Sequence, residues 1–109
     1  MNRPHVAVIV LNWNKPEATI ACLHSLAQVT YPHRQVIVVD NGSTDDSVAR
    51  IRAACPDVTL IETGANLGYA GGNNLGIGYA LAHGADVIAI LNNDVVFESG
   101  FLEPLLDAL

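Results

Sequence analysis

Two of the aliphatic runs in this chain stop abruptly at an acidic or amide residue: V-V-D-N-G-S-T-D-D from Val38 to Asp46, and L-N-N-D-V from Leu91 to Val95. A strand buried on both faces reads as such an unbroken run, which is the habit of parallel sheets flanked by helices. In open α/β sheets, ligands sit just beyond the carboxyl ends of the strands. Asp40 and Asp94 are therefore expected at one edge of one sheet, an arrangement that suits a nucleotide and a divalent cation.

The rest of the chain supports a sheet of this kind. His5–Leu11, Gln35–Val39, Val58–Ile61 and Asp86–Leu91 read as strands. After the first, Asn14 is placed to cap a helix, Pro16 suits its first turn, and Glu17 sits where a capping box wants it. Ala18, Cys22, Leu26 and Val29 then recur at helical spacing until Tyr31-Pro32. Ser43 and Asp46 resemble the capped start of a second helix, with Val48, Ile51, Ala54 and Cys55 as its stripe and Pro56 as its stop. Thr63–Gly72 reads as a long Gly/Asn-rich connector, and Asn73–His83 as a helix ending at Gly84. Ser99 is expected to cap a last helix running to Leu109. Alternating strands and helices predict an α/β fold: a mostly parallel, Rossmann-like sheet with helices on both faces.

Composition narrows the function classes. With 109 residues, half of them hydrophobic and 15% charged, the chain is one small ordered domain. Its net charge is -6, and its five basic residues (Arg3, Lys15, Arg34, Arg50, Arg52) form no patch. A nucleic-acid partner is therefore not expected, and an anionic nucleotide would need a metal or backbone N–H groups. Cys22 and Cys55 fit no zinc or redox spacing and read as small buried hydrophobes, compatible with a reducing compartment. The four histidines show no metal spacing. No apolar run approaches the ~20 residues of a membrane span, and the N-terminal residues look like a first strand rather than a signal peptide.

Several motifs are missing. The turn after the first strand, Asn12-Trp-Asn-Lys-Pro, has no glycine, which disfavours a dinucleotide fold. Neither a P-loop nor a G-x-S-x-G is present. Asp40 carries two open readings, a turn former in Asp-Asn-Gly or an acceptor for a base or ribose. Asp94 ends the aliphatic run from Val87 and precedes Val95-Val96-Phe97, so its carboxylate is flanked by apolar sequence. An unpartnered buried carboxylate is costly, and a Mg²⁺ or Mn²⁺ shared with substrate phosphates would relieve that cost. In N-L-G-Y-A-G-G-N-N-L-G, from Asn66 to Gly76, glycines allow close backbone approach. Tight packing is expected around Gly76 and Gly78. Trp13 suits either base stacking or loop packing.

Taken in order, V-I-V-L-N-W-N-K, V-V-D-N-G-S-T-D-D, N-L-G-Y-A-G-G-N-N-L-G and L-N-N-D-V resemble the nucleotide-binding half of a family 2 glycosyltransferase with the GT-A fold. The versions here particularly resemble bacterial rhamnosyltransferase-like members that build surface polysaccharides. The resemblance covers nearly the whole chain and implies that residues 1–109 are an N-terminal nucleotide-sugar-binding part. It implies that Asp40 binds the base, with Leu11 and Asn12 beside it, and that Asn14 and Lys15 lie in the first loop near the nucleotide. It implies that Asn66, Gly68 and Asn74 shape the donor pocket. Asn92, Asn93 and Asp94 stand at the D-x-D-like motif, with Asp94 on a Mg²⁺ or Mn²⁺ ion. The implied partners are a dTDP- or UDP-sugar donor and a glycan or lipid-linked acceptor. The implied reaction is inverting displacement, with the metal assisting departure of the nucleoside diphosphate. Asn92 replaces the acid that many members carry, leaving one strong metal ligand. The general base is expected beyond Leu109.

The alternative is a non-catalytic nucleotide-binding or assembly module. A nucleotidyltransferase would want a Gly-rich, basic loop after the first strand, which is absent. The apolar tail at Phe101-Leu102 and Leu105-Leu106 reads as a cut or as residues packing on this sheet. A cut there would leave strand four or its neighbour as an unprotected edge, and self-association is then expected. The expected location is cytoplasmic, or peripheral at the inner face of the membrane.

Overall fold

A computed structural model describes residues 3–108. It contains four strands, β1 (Val6–Asn12), β2 (Arg34–Asp40), β3 (Thr59–Glu62) and β4 (Val87–Leu91), alternating with α1 (Pro16–Ala27), α2 (Ser47–Ala54), α3 (Gly68–Ala82) and α4 (Leu102–Asp107). All three strand pairings are parallel and the order is β3-β2-β1-β4. The expected α/β architecture is present.

The strands show why their sequences are so uniformly apolar. Val6 through Val10 are each fully buried, because β1 is central and covered on both faces. Alternation divides them. Val6, Val8, Val10 and Val38 join Cys22, Leu23 and Leu26 of α1, Ile51 of α2, and Leu102 of α4. Ala7, Ile9, Ile37 and Val39 form a second core with Ala80 of α3. The same period of two places Asn12 and Asp40, paired in register, on the α1 face, and Leu11 on the α3 face.

Several local expectations need correction. Asn14 does not cap α1: Lys15 is the N-cap, and no side chain caps there. Asn14 instead takes a positive φ of 53°, which Asn tolerates better than most residues. Glu17 forms no capping box but reaches Arg50 at 2.7 Å. Both partners are solvent-exposed, so the bond lowers the Glu17 pKa while adding little stability. At α2, Ser43 turns back towards Asp40, Asp46 caps without a side-chain bond, and Asp45 accepts from the Ser47 amide and hydroxyl. Of the α2 stripe, Ile51 and Cys55 are buried while Ala54 is exposed. Ser99 does not cap α4, whose N-cap is Phe101; its carbonyl accepts the Thr30 amide at 2.8 Å. In the apolar tail, Leu102 is buried whereas Leu105 is 56% exposed. Leu109 lies outside the described residues.

The largest difference is α3, which starts at Gly68, five residues before the expected Asn73. Each glycine costs a helix about 1 kcal/mol relative to Ala, so local propensity argues against a helix here. Packing reverses that. A Cβ on Gly72 would stand 2.6 Å from Leu11 Cδ1, and one on Gly76 would stand 2.9 Å from Ile9 Cγ2. The glycines let the helix lie directly on β1 and β2. Gly78, expected to do the same, faces open space.

Candidate functional site

The strand order fixes where a site can form. From β1 the chain steps outward to β2 and β3, then returns to place β4 on the other side of β1. The β1–β2 crossover therefore runs through α1 on one face and the β3–β4 crossover through α3 on the other. Such a switch point opens a crevice at the carboxyl ends of the strands. A cleft of about 200 Å³ lies there, lined by Leu11, Trp13, Lys15, Tyr69, Leu91, Asn92 and Asn93. Small-molecule sites usually exceed ~300 Å³, so these residues form one wall of a site. A larger hollow of about 510 Å³ opens at the starts of β2 and β3, against Leu23 and Ala27. It lies at the amino ends of parallel strands, where this architecture does not bring its loops together, and the switch-point cleft is the better candidate.

Behind the cleft, Asp40 is 3% exposed. Its Oδ1 accepts from Asn12 Nδ2 at 2.9 Å and from Ser43 Oγ at 2.6 Å, and its Oδ2 accepts the Ser43 amide at 3.1 Å. Asp40 thus ends β2, builds the turn and locks the tip of β1. The Asn14 amide donates to Ser43 Oγ at 3.0 Å, and Asn14 Oδ1 accepts the Thr44 amide at 2.8 Å. Asn14 is a bridge between the loops after β1 and β2. Asn12 Oδ1 accepts from the Thr19 hydroxyl at 2.6 Å.

A second set of bonds holds the approach to α3. Asn41 donates to Asn66 Oδ1 and to the Gly68 carbonyl at 3.0 Å, while accepting the Leu67 amide at 3.1 Å. Its side chain thereby fixes the start of α3 and the base of Tyr69. Gly42, at φ 81°, packs so closely on the loop after β3 that a Cβ would stand 2.5 Å from the Ala65 carbonyl carbon.

The loop after β4 departs from expectation. β4 ends at Leu91, and Asp94 occupies an exposed turn three residues later. Its carboxylate is therefore not a buried charge, and relief of a desolvation cost is no argument for a cation. Among the described residues it has no hydrogen bond or ion pair, and no group of three His, Cys, Asp or Glu gathers to hold a metal. Asn93 donates to Thr19 Oγ1 at 3.0 Å. The Cys22 thiol donates to the Asn92 carbonyl, and its pKa is pushed up to about 11, chiefly by burial and secondarily by the charge on Asp94. An available carboxylate beside side-chain amides suits a hard cation that takes one protein carboxylate, substrate phosphates and water.

Leu11, Lys15, Asn92 and Asn93 thus meet at the cleft, with Asn12, Asn14 and Asp40 bonded together behind it. Gly68 adjoins Tyr69 at its rim. Asn74 is exposed on α3 and does not line the cleft. Its neighbour Asn73 is 4% exposed, with neither amide atom bonded. Sequence reasoning gave no site role to Tyr69, Thr19 or Asn41, and read Ser43 only as a helix cap. Tyr69 is 61% exposed beside Trp13 at 48%. Two exposed aromatics on one cleft are the kind of surface a base can stack on, but only the early start of α3 brings them together. Among the described residues, no helix is long and apolar enough to cross a membrane.

Known proteins resemble this chain. Residues 7–109 match Glycosyl transferase family 2. The chain is 33% identical over 93 residues to the low-salt glycan biosynthesis hexosyltransferase Agl10 of Haloferax volcanii, a match covering 83% of the chain and 28% of that protein. It is 34% identical over 94 residues to the N-acetylglucosaminyl-diphospho-decaprenol L-rhamnosyltransferase of Mycobacterium tuberculosis, covering 79% of the chain and 31% of the relative. The chain thus spans about a third of the length of these relatives. Among solved structures it resembles the mannosyltransferase PcManGT of Pyrobaculum calidifontis, determined with GDP-Man and Mn²⁺, at TM-score 0.73 and 29% identity over 88% of the chain and 29% of that protein. It shares a fold with TarS of S. aureus at TM-score 0.73, covering 94% of the chain and 30% of that one. With a parallel sheet, a crevice at its switch point and a match along nearly its whole length, the chain belongs to glycosyl transferase family 2.

Proposed function

We propose that residues 1–109 are the donor-binding part of a nucleotide-sugar glycosyltransferase and hold a nucleoside diphosphate sugar at the carboxyl ends of β1, β2 and β4. The observation that carries this reading is the convergence of Leu11, Trp13, Lys15, Asn92 and Asn93 on the switch-point cleft, with Asp40 behind it at the end of β2 and Asp94 three residues beyond β4. Asp40 reads the base: Oδ2 accepts one bond from the protein and retains capacity for a second. Leu11 and Asn12 border it, and Trp13 offers a stacking surface. Asn14 holds the first loop in place, and Lys15 supplies the cation nearest the diphosphate. Gly68 and Asn74 belong to the segment shaping the donor pocket; the exposure of Asn74 favours a role at its outer margin. Asn92 and Asn93 flank the diphosphate, and Asp94 would hold a Mg²⁺ or Mn²⁺ ion. When bound, that ion supplies Lewis-acid neutralisation of the departing diphosphate.

The acceptor, a glycan or lipid-linked sugar, and an inverting base lie outside what these residues supply. The rhamnosyltransferase relative, named for a diphospho-decaprenol substrate, supports a lipid-linked acceptor, and the likeness to PcManGT, determined with GDP-Man and Mn²⁺, supports metal-assisted binding of a nucleotide-sugar donor. The reading is of a cytoplasmic protein, or one peripheral at the inner face of a membrane.

Titration of the chain with UDP and dTDP, each with and without Mn²⁺, tests the proposal. Mn²⁺ is expected to raise nucleotide affinity at least about tenfold, the worth of roughly 1.4 kcal/mol. Asp94→Asn should remove that gain with a stability change within about 0.5 kcal/mol, because the side chain is exposed. No nucleotide binding under any condition would leave the assembly-module reading in its place.

A second expectation concerns the sheet edge. Among the described residues β4 pairs only with β1, and Ile90 is 41% exposed. An unpaired apolar edge invites pairing with another copy. Light scattering is expected to show concentration-dependent association that Ile90→Lys reduces; a monomer at all concentrations would count against it.

A further inference from the structure

The bonds across the strand tips form a single directional chain. An ionised Asp40 carboxylate can only accept, so Asn12 must turn its Nδ2 towards Asp40 Oδ1, at 2.9 Å. That places Asn12 Oδ1 against Thr19, whose hydroxyl must donate to it, at 2.6 Å. Thr19 Oγ1 then has lone pairs to offer, and it accepts from Asn93 Nδ2 at 3.0 Å. Each amide and hydroxyl is oriented by the one before it. The chain begins at the acid after β2 and ends beside Asp94 after β4.

Thr19 is the link that neither loop supplies. It is fully buried on α1, where its helix-mates Cys22, Leu23 and Leu26 are hydrophobic. Packing alone would be served by Val. A buried hydroxyl is tolerated when it is hydrogen-bonded, and a helical Thr commonly finds the carbonyl one turn back. Here the Lys15 carbonyl takes the Thr19 amide, while the hydroxyl crosses to Asn12 and Asn93. Asn12 is fully buried as well, so water has no access to replace it as the acceptor of the Thr19 hydroxyl.

We propose that Thr19 is a positioning residue that couples the base-side carboxylate Asp40 to the metal-side loop of Asn93 and Asp94. Engagement of Asp40 by a nucleotide is thereby felt at the loop that holds the metal. The functional consequence rests on the donor-binding reading above; the hydrogen-bond chain itself does not.

The test has a ligand-free arm and a binding arm. In the free protein, the side-chain amide resonances of Asn93 are followed by ¹⁵N NMR. Asp40→Asn removes the acceptor-only end of the chain and is expected to displace the Asn93 resonances. The same change made in a Thr19→Val background should leave them where Thr19→Val alone puts them, whereas Thr19→Ser should preserve the response. Unmoved Asn93 resonances in Asp40→Asn, or an equal displacement with and without the Thr19 hydroxyl, would overturn the coupling. In the binding arm, Thr19→Val is expected to cut the Mn²⁺-dependent gain in UDP affinity by about five- to tenfold, the worth of one hydrogen bond. UDP affinity without metal should change less than about twofold, and Thr19→Ser should restore the gain. A merely structural role would instead weaken both conditions alike, which would also overturn the proposal. Where Thr19→Val folds poorly, Thr19→Ala is read against Thr19→Ser in its place: loss of the Mn²⁺-dependent gain in the first and its retention in the second is expected, and equal results in the two would overturn the proposal. If the unaltered chain binds neither UDP nor dTDP, the donor-binding reading falls, while the resonances of Asn93 still decide the coupling.

Discussion

Asp40→Ala is expected to destabilise the domain by about 3 kcal/mol and to abolish nucleotide binding. The carboxylate accepts three hydrogen bonds, two from side chains and one from the Ser43 amide. Removing it leaves Asn12 Nδ2, which is fully buried, with only its longer 3.2 Å bond to Ser43 Oγ, at a cost of about 1–3 kcal/mol for the lost partner. The turn after β2 loses its organising acceptor as well. For a domain of this size the melting temperature should fall by on the order of 10–20 °C. Asp40→Asn separates the two roles of this residue. It keeps the shape and one acceptor oxygen, so most stability should survive, while affinity for a nucleotide falls at least about tenfold with loss of the charge-assisted bond. A folded Asn variant that binds nucleotide like the unaltered chain would make Asp40 a turn former only. Calorimetric unfolding and nucleotide titration on the two variants read both effects.

Gly42→Ala should be at least as damaging, for a different reason. Gly42 sits at φ 81°, a left-handed conformation that costs an L-residue roughly 1–2 kcal/mol. Its missing Cβ would also fall 2.5 Å from the Ala65 carbonyl carbon and 2.7 Å from the Asn66 nitrogen. Those are backbone atoms, so no side-chain rotation relieves the contact. The loop after β3 must move, taking with it Asn66, its bond to Asn41 and the start of α3. A loss of about 4 kcal/mol or more is expected, in the range reserved for strain at special positions. Gly64→Ala is the internal control. Gly64 has a φ of 79°, but nothing lies within 4 Å of its added Cβ, so only the conformational cost of about 1–2 kcal/mol should appear. Equal effects at the two glycines would mean that the close approach of the loops contributes nothing.

The fold was legible where burial dictates residue type. Every residue of β1 from Val6 to Val10 must be apolar because both faces are covered, and its sequence says so. Helix boundaries were less legible because the capping rules have look-alikes. Asn14 has the residue type of an N-cap, but here its side chain and amide are committed to Ser43, Thr44 and Asp45, some 30 positions away. α3 was hidden because glycine has opposite meanings in an exposed turn and in a helix pressed against a sheet. Only the positions of Leu11, Ile9 and Val39 beneath it tell them apart.

The site followed the same division. Asp40, Asn12, Lys15, Asn92 and Asn93 stand at strand tips, which the aliphatic runs mark directly. Tyr69 reaches the cleft from α3, and Thr19 reaches the hydrogen-bond chain from α1. Neither has a strand-end signal. The burial of Asp94 was misjudged because hydrophobic neighbours in sequence were read as hydrophobic neighbours in space. Val95 and Val96 are themselves 40% and 69% exposed.

The most direct test of donor binding at this sheet edge is an amide chemical-shift map of the chain titrated with UDP or dTDP in the presence of Mg²⁺. The account predicts perturbations concentrated at Asn12, Trp13, Asp40, Ser43 and Asn92–Asp94, with the Asn92–Asp94 set lost when Mg²⁺ is withheld. Perturbations clustered instead around Leu23, Gln35 and Val58, at the opposite ends of the strands, or none at all, would contradict it.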